Sequence, residues 1–200
     1  MTHISIVDRL AGWRERPLAA LAVGLAGVAA CAVSLIVAPG VPGLMGAGLA
    51  LIMLAIAVID ARWFIIPNEL SLAAFALALV NAGIQAPFST WDAIAAALLR
   101  AVVVGLLFLA LREGYRRLRG RDGIGFGDVK LAAVAGAWLG WITLPIAIEI
   151  AALAAIAAFA VRHYAGRQAF DPALKFPFGL FLAPSIWLGW LIEMTLFASP

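Results

Sequence analysis

Residues 123–130 read Gly-Ile-Gly-Phe-Gly-Asp-Val-Lys, and residues 131–141 continue as an apolar run, LAAVAGAWLGW. Glycines at alternate positions allow close backbone approaches that other residues do not, which is typical of a loop that places a side chain accurately. The loop brings Asp128 to the start of an apolar helix, where an ionisable group is costly and is by default a functional candidate. Asp128 is therefore the first candidate site residue.

The composition of the chain identifies the apolar run as part of a membrane protein. Of the 200 residues, 65% are hydrophobic and 12% are charged, which excludes an ordinary soluble domain. The net charge of +3 does not indicate nucleic-acid binding, because the basic residues lie beside apolar segments, where they set topology. Cys31 is the only cysteine, so neither an internal disulfide nor a zinc site built from paired cysteines is expected.

The chain is predicted to be an all-α, polytopic membrane protein of about seven spans. Residues 1–17 are expected to form a cytoplasmic leader, and residues 18–200 a single transmembrane domain. The predicted spans are residues 18–38, 44–59, 70–85, 91–111, 129–142, 145–161 and 176–197. The fifth of these is short for a bilayer.

The lysines and arginines predict the orientation of the chain. With the N-terminus in the cytoplasm, all 14 of them except Arg100 lie on the cytoplasmic side, as the positive-inside rule requires. Arg100 falls within a span and is expected to face the bundle interior, paired with Glu149 or Glu193. This orientation places Asp60, after the second span, and Asp128, before the fifth, at the same membrane face.

Two carboxylates that share a small volume cannot both ionise at low cost, so one keeps its proton and the other loses it. Such a pair can act as general acid and general base toward a water molecule. For either aspartate alone, a role in capping a helix or pairing with an arginine would be the simpler interpretation. The presence of both aspartates at the same depth in the membrane favours a catalytic pair. From the helix dipoles and from Lys130, Asp128 is expected to be the ionised base and Asp60 the acid.

The sequence resembles a known family, the type IV prepilin peptidases. These are membrane aspartic proteases that trim pilin and pseudopilin leaders. Residues 123–141 look like the GxGD segment of that family, and residues 60–68, DARWFIIPN, are similar to the segment around its first catalytic aspartate. Residues 176–183, FPFGLFLA, resemble its last-helix motif, although Leu180 stands where a second proline is usual. The resemblance covers about residues 44–190.

The resemblance implies a catalytic pair, a supporting loop and a substrate-side motif, with no metal and no cofactor. The catalytic pair is Asp60 and Asp128. The supporting loop residues are Gly125, Gly127, Lys130, Pro67 and Asn68. The substrate-side motif is Pro177, Phe178 and Gly179. The implied partners are a prepilin or pseudopilin substrate and the lipid bilayer, and the implied location is the bacterial inner membrane. Many relatives carry a cysteine-rich domain before this core and methylate the new N-terminus. The chain is expected to be a short form without either, and the sequence predicts no oligomeric state.

Two alternatives remain open at this stage. Presenilin-like intramembrane proteases also carry GxGD, and Pro172-Ala173-Leu174 resembles the motif before their last helix, but Ile59 stands where that family has tyrosine before its first aspartate. An ion-coupled transporter would use buried carboxylates without peptide chemistry, but it would place them near the bilayer midplane rather than at one face. His3 and His163 lack partners at metal-ligand spacing, so a metal role is not expected of them.

Overall fold

A computed structural model describes residues 17–86, 88–120, 123–166 and 177–196 of the chain. These residues form seven α-helices and no β-strand. The helices are α1 (Pro17–Val37), α2 (Val41–Trp63), α3 (Asn68–Gln85), α4 (Thr90–Arg119), α5 (Phe126–Trp138), α6 (Thr143–Gly166) and α7 (Gly179–Leu196). The all-α prediction is confirmed. The predicted leader, residues 1–17, lies outside the described residues apart from Pro17.

Five of the helices are long and apolar enough to cross a membrane, namely α1, α2, α4, α6 over Thr143–Val161, and α7. The chain is therefore a multi-pass membrane protein. The other two helices differ from these for separate reasons. Helix α5 has only 13 residues, and α3 carries polar residues at both ends, including Glu69 in its first turn.

Three helices extend beyond their predicted ends, and one of them, α6, continues from the predicted end at residue 161 to Gly166. Helix α2 continues to Trp63, so that Asp60 lies in its last turn rather than after it, and Phe64 ends the helix in the left-handed conformation (φ 54°). Helix α4 continues through the basic segment that was expected to be a link. Glu113 forms ion pairs there with Arg116 (3.0 Å) and Arg117 (2.9 Å). Such pairs at helical spacing stabilise a helix terminus that projects from an apolar span.

Helix α5 is mostly buried and packs against α3, α4 and α7. Seven side chains of this short helix are buried, spread over all of its turns. Several of them are small, which allows the neighbouring helix backbones to approach closely. A Cβ on Gly136 would lie 2.7 Å from the carbonyl oxygen of Arg100. Helix α4 therefore packs directly against Gly136, where there is no room for a side chain.

A polar cluster joins α4, α5 and α7 at the C-terminal ends of α5 and α7. The Arg100 Nε donates to the Gly136 carbonyl (3.1 Å), and the Gly140 N–H donates to the Glu193 carboxylate (3.0 Å). Arg100 and Glu193 also attract each other electrostatically. Of the two predicted partners of Arg100, Glu193 is the one that the structure places beside it.

Candidate active site

Asp60 is a buried carboxylate held by the start of another helix. It lies in the last turn of α2 and is only 5% exposed. Its Oδ2 accepts a hydrogen bond from the Leu180 N–H at 2.9 Å, and the Gly179 N–H also donates to this carboxylate. Both donors belong to the first turn of α7, where amide groups have no partner within the helix. The N-terminus of α7 therefore points at Asp60.

Asp128 is the third residue of α5 and caps that helix. The Gly125 N–H donates to the Asp128 Oδ2 at 3.2 Å, and the Asp128 N–H donates to the Gly125 carbonyl at 3.1 Å. The Asp128 side chain thus supplies the N3 half of a capping box, and this bond fixes the carboxyl group at the helix start. Asp128 is half-buried.

The two carboxyl groups interact electrostatically. Burial, and after it the charge of Asp60, raises the pKa of Asp128 to about 6, although the hydrogen bond from Gly125 opposes the rise. A carboxyl group with such a pKa exists in both protonation states close to neutral pH, which suits it to acid–base chemistry. The structure thus brings together Asp60 and Asp128, which are far apart in the sequence.

Ile66 joins the three helix ends that form the site. A Cβ on Gly127 would lie 3.0 Å from the Ile66 side chain, and a Cβ on Gly179 would lie 2.8 Å from both Ile66 and the Asp60 Oδ2. Glycine is therefore required at position 179 by the space available, since any side chain there would displace the carboxylate. Ile66 is buried and lies beneath both glycines.

Lys130 ties α5 to the start of α3. Its Nζ donates to the Asn68 Oδ1 at 2.5 Å and to the Ile66 carbonyl at 3.3 Å, and it lies over the Phe126 ring. The cation thus fixes the turn that contains Pro67, which precedes α3. Lys130 was expected to support an ionised Asp128, but its hydrogen bonds go to the Ile66–Asn68 turn instead.

The geometry bears on the predicted roles of the two aspartates. The sequence places Asp128 at a helix N-terminus and Asp60 near a helix C-terminus, which predicts an ionised Asp128. In the structure the amides of α7 also point at Asp60, and the pKa of Asp128 is raised, first by burial and then by the charge of Asp60. The assignment stays a prediction from the sequence, which predicted the start of the last span near residue 176 but not that its amides donate to Asp60.

The predicted substrate-side motif lies at the start of α7. Pro177 and Phe178 form the turn into α7, and their carbonyls accept hydrogen bonds from Leu180 (3.3 Å) and Phe181 (3.0 Å), respectively. The motif of Pro172, Ala173 and Leu174 lies outside the described residues. Among the residues that the structure does describe, no group of three or more His, Cys, Asp or Glu side chains could hold a metal ion.

Two contributors were not among the predicted site residues. Ile66 offered no chemical signal in the sequence, because it is an apolar residue that follows two other apolar residues, Phe64 and Ile65. Leu180 contributes through its backbone N–H, which no side-chain pattern reveals. Its one signal was its departure from the proline usual at this position in the family that the chain resembles.

Comparison with known proteins identifies the family of the chain. The sequence model of the type IV leader peptidase family matches residues 47–160, a stretch that contains both aspartates. A prepilin leader peptidase/N-methyltransferase of Burkholderia pseudomallei is 36% identical over 168 residues, which cover 84% of this chain and 51% of that protein. A protein of the same name from Klebsiella pneumoniae is 37% identical over 140 residues, covering 70% of this chain and 58% of the relative.

A third protein of that name, from Aeromonas hydrophila, is 31% identical over 175 residues, covering 88% of this chain and 57% of the relative. The chain thus spans somewhat more than half the length of these relatives. No solved structure matches it. The family match over more than half of the chain, together with these relatives, shows that this multi-pass membrane protein belongs to the type IV leader peptidase family.

Proposed function

We propose that the chain is an aspartic endopeptidase that removes the short basic leader from type IV prepilins or pseudopilins. The observation that carries the proposal is the pairing of Asp60 with Asp128 at the ends of two helices. Family membership supports it, because three relatives are named as prepilin leader peptidases.

The chemistry is hydrolysis by an activated water. One carboxylate removes a proton from the water while the protonated carboxyl group donates to the scissile carbonyl, so the pair supplies both the base and the acid. Burial of Asp60 and partial burial of Asp128 strengthen these interactions relative to bulk water. Glycines at positions 127 and 179 keep the helix ends close enough for the pair to form.

The substrate would meet this pair at the cytoplasmic face of the bacterial inner membrane. A prepilin has a basic leader followed by an apolar helix, so its scissile bond lies at the membrane surface. Exposed apolar side chains occur at the same helix ends as the carboxylates. They are Phe64 (51% exposed), Ile65 (45%) and Phe126 (57%). These side chains suit an interface where an apolar segment emerges from lipid.

The test is cleavage of a co-reconstituted prepilin by Asp60→Asn and Asp128→Asn variants, followed by mass spectrometry of the leader. Each variant is expected to lose at least about a hundredfold in rate, since each removes one acid–base group. The isosteric change leaves both side chains able to accept hydrogen bonds, so the fold should persist. Asp92→Asn is the matched control, because Asp92 is exposed in the first turn of α4. A rate above about a tenth of wild type in either dyad variant would overturn the catalytic pair.

A further inference from the structure

The start of α7 contains a hydrogen-bond donor that the usual sequence of its motif would lack. The Leu180 N–H lies 2.9 Å from the Asp60 Oδ2. The type IV prepilin peptidase motif that residues 176–183 resemble usually has proline at this position, and proline has no N–H. In this chain, therefore, a backbone amide contacts a carboxylate at a position where the family pattern provides none.

This amide is well placed to act on the charge of Asp60. Leu180 is the second residue of α7, so its N–H has no partner within the helix. The positive end of the helix dipole lies at the same place and also favours a negative charge on Asp60. The same N–H makes a longer contact with the Pro177 carbonyl, at 3.3 Å, which leaves the Asp60 bond as the shorter of the two. Hydrogen bonds from amides to a carboxylate favour its ionised form.

We propose that the Leu180 N–H is a positioning group that keeps Asp60 ionised, so that Asp60 is the general base and Asp128 holds the shared proton. This inference rests on the proposed peptidase function. Asp60 removes a proton from water as the water oxygen bonds to the scissile carbonyl carbon, and Asp128 gives its proton to the carbonyl oxygen. Asp60 then returns a proton to the leaving nitrogen, and Asp128 takes one from the gem-diol. The C–N bond breaks, and both carboxyl groups regain their starting states.

The charged groups near Asp60 come from α2, α3 and α5. Helix α5 contributes Asp128, whose charge interacts with that of Asp60, and Lys130, which is bonded to Asn68 and Ile66. Helix α3 contributes Glu69, which interacts with Lys130. On α2 itself Arg62 lies over the Trp63 ring. Helix α7 has no ionisable side chain before Glu193, which lies at its far end. The amides of α7 are thus its contribution to the electrostatics of Asp60.

The experiment compares Leu180→Pro with Leu180→Ala in the full chain. Proline removes the N–H and is tolerated in the first turn of a helix, whereas alanine keeps the N–H and removes most of the side chain. The readout is kcat as a function of pH for cleavage of a purified prepilin in liposomes. For Leu180→Pro, we expect the acidic limb of the profile to move up by about one pH unit, a tenfold change in proton affinity. For Leu180→Ala, the limb should stay where it is in the wild type.

An acidic limb that is the same in both variants would overturn the inference, because a purely structural role would lower both rates without moving the limb. If Leu180→Pro fails to fold, the α-hydroxy acid of leucine at position 180 removes the same N–H without a ring and replaces it in the test. Failure of the wild-type protein to cleave any prepilin would instead refute the proposed function. The two failures are therefore distinguishable.

Discussion

At the scale of single residues, Asp128 combines a structural role with a chemical one. Its carboxyl group caps α5 through Gly125, and the same group has a pKa raised to about 6 by burial and by the charge of Asp60. Removing the charge of Asp60 removes one cause of the raised pKa and leaves the other, which is burial. In Asp60→Asn the pKa of Asp128 should therefore fall below about 6 but stay above its ordinary value.

The measurement is infrared difference spectroscopy of the protonated carboxyl band between pH 4 and pH 8, with the Asp128→Asn variant identifying which band is that of Asp128. The Asp92→Asn variant serves as the control and should leave the titration unchanged. An Asp128 band that titrates identically in wild type and in Asp60→Asn would show that the two carboxyl groups do not interact.

The identities of the two aspartates were accessible to sequence reasoning, whereas their electrical environment was not. Alternation of spans placed Asp60 and Asp128 at one face, and the structure brings them together. The donor to Asp60, however, is 120 residues away along the chain and is a backbone group. Periodicity and motif spacing report side chains, so they could not identify Leu180 as a partner of Asp60 or Ile66 as the residue packed beneath both glycines.

At the scale of elements, the contact between α4 and α5 depends on the absence of one side chain. A Cβ at Gly136 would lie 2.7 Å from the Arg100 carbonyl oxygen and 2.9 Å from its carbonyl carbon, and both are backbone atoms that cannot move alone. Gly136→Ala should therefore force the helices apart and lower the free energy of unfolding by about 1–3 kcal/mol.

Gly114→Ala is the matched control, because nothing lies within 4 Å of a Cβ built there. Alanine is the better helix former, so this variant should be as stable as wild type or up to about 1 kcal/mol more stable. Thermal unfolding in detergent micelles compares the two. Equal stability of the Gly136 and Gly114 variants would mean that α4 and α5 are not in close contact.

Helix existence was predictable because every helix is an apolar stretch bounded by glycine, proline or charge. Helix ends were less predictable. The basic residues after Leu111 suggested a link, but the ion pairs of Glu113 with Arg116 and Arg117 hold that segment in α4 as far as Gly120, whose φ of 66° ends the helix. Local charge pairing thus outweighed the loss of hydrophobicity.

At the scale of the whole molecule, the orientation in the membrane stays a prediction from the lysines and arginines. Single cysteines introduced in a Cys31→Ser background should label with a membrane-impermeant maleimide as follows. A cysteine at Arg117 should react only from the cytoplasm, and cysteines at Pro42 and Ser89 only from the other side. Labelling of position 117 from outside would place Asp60 and Asp128 at the wrong face for a prepilin leader.

Helix α5 is much shorter than the hydrocarbon core of a bilayer is thick. Helix α5 has 13 residues and so is about 20 Å long, while the hydrocarbon core of a bilayer is about 30 Å thick. Its two ends cannot both reach bulk water across an undeformed bilayer. We expect the mismatch to be met by local thinning of the lipid, or by a water-filled depression above the glycine loop. In either case the membrane surface would dip toward Asp128, and the water needed for hydrolysis would reach a depth where lipid tails otherwise exclude it.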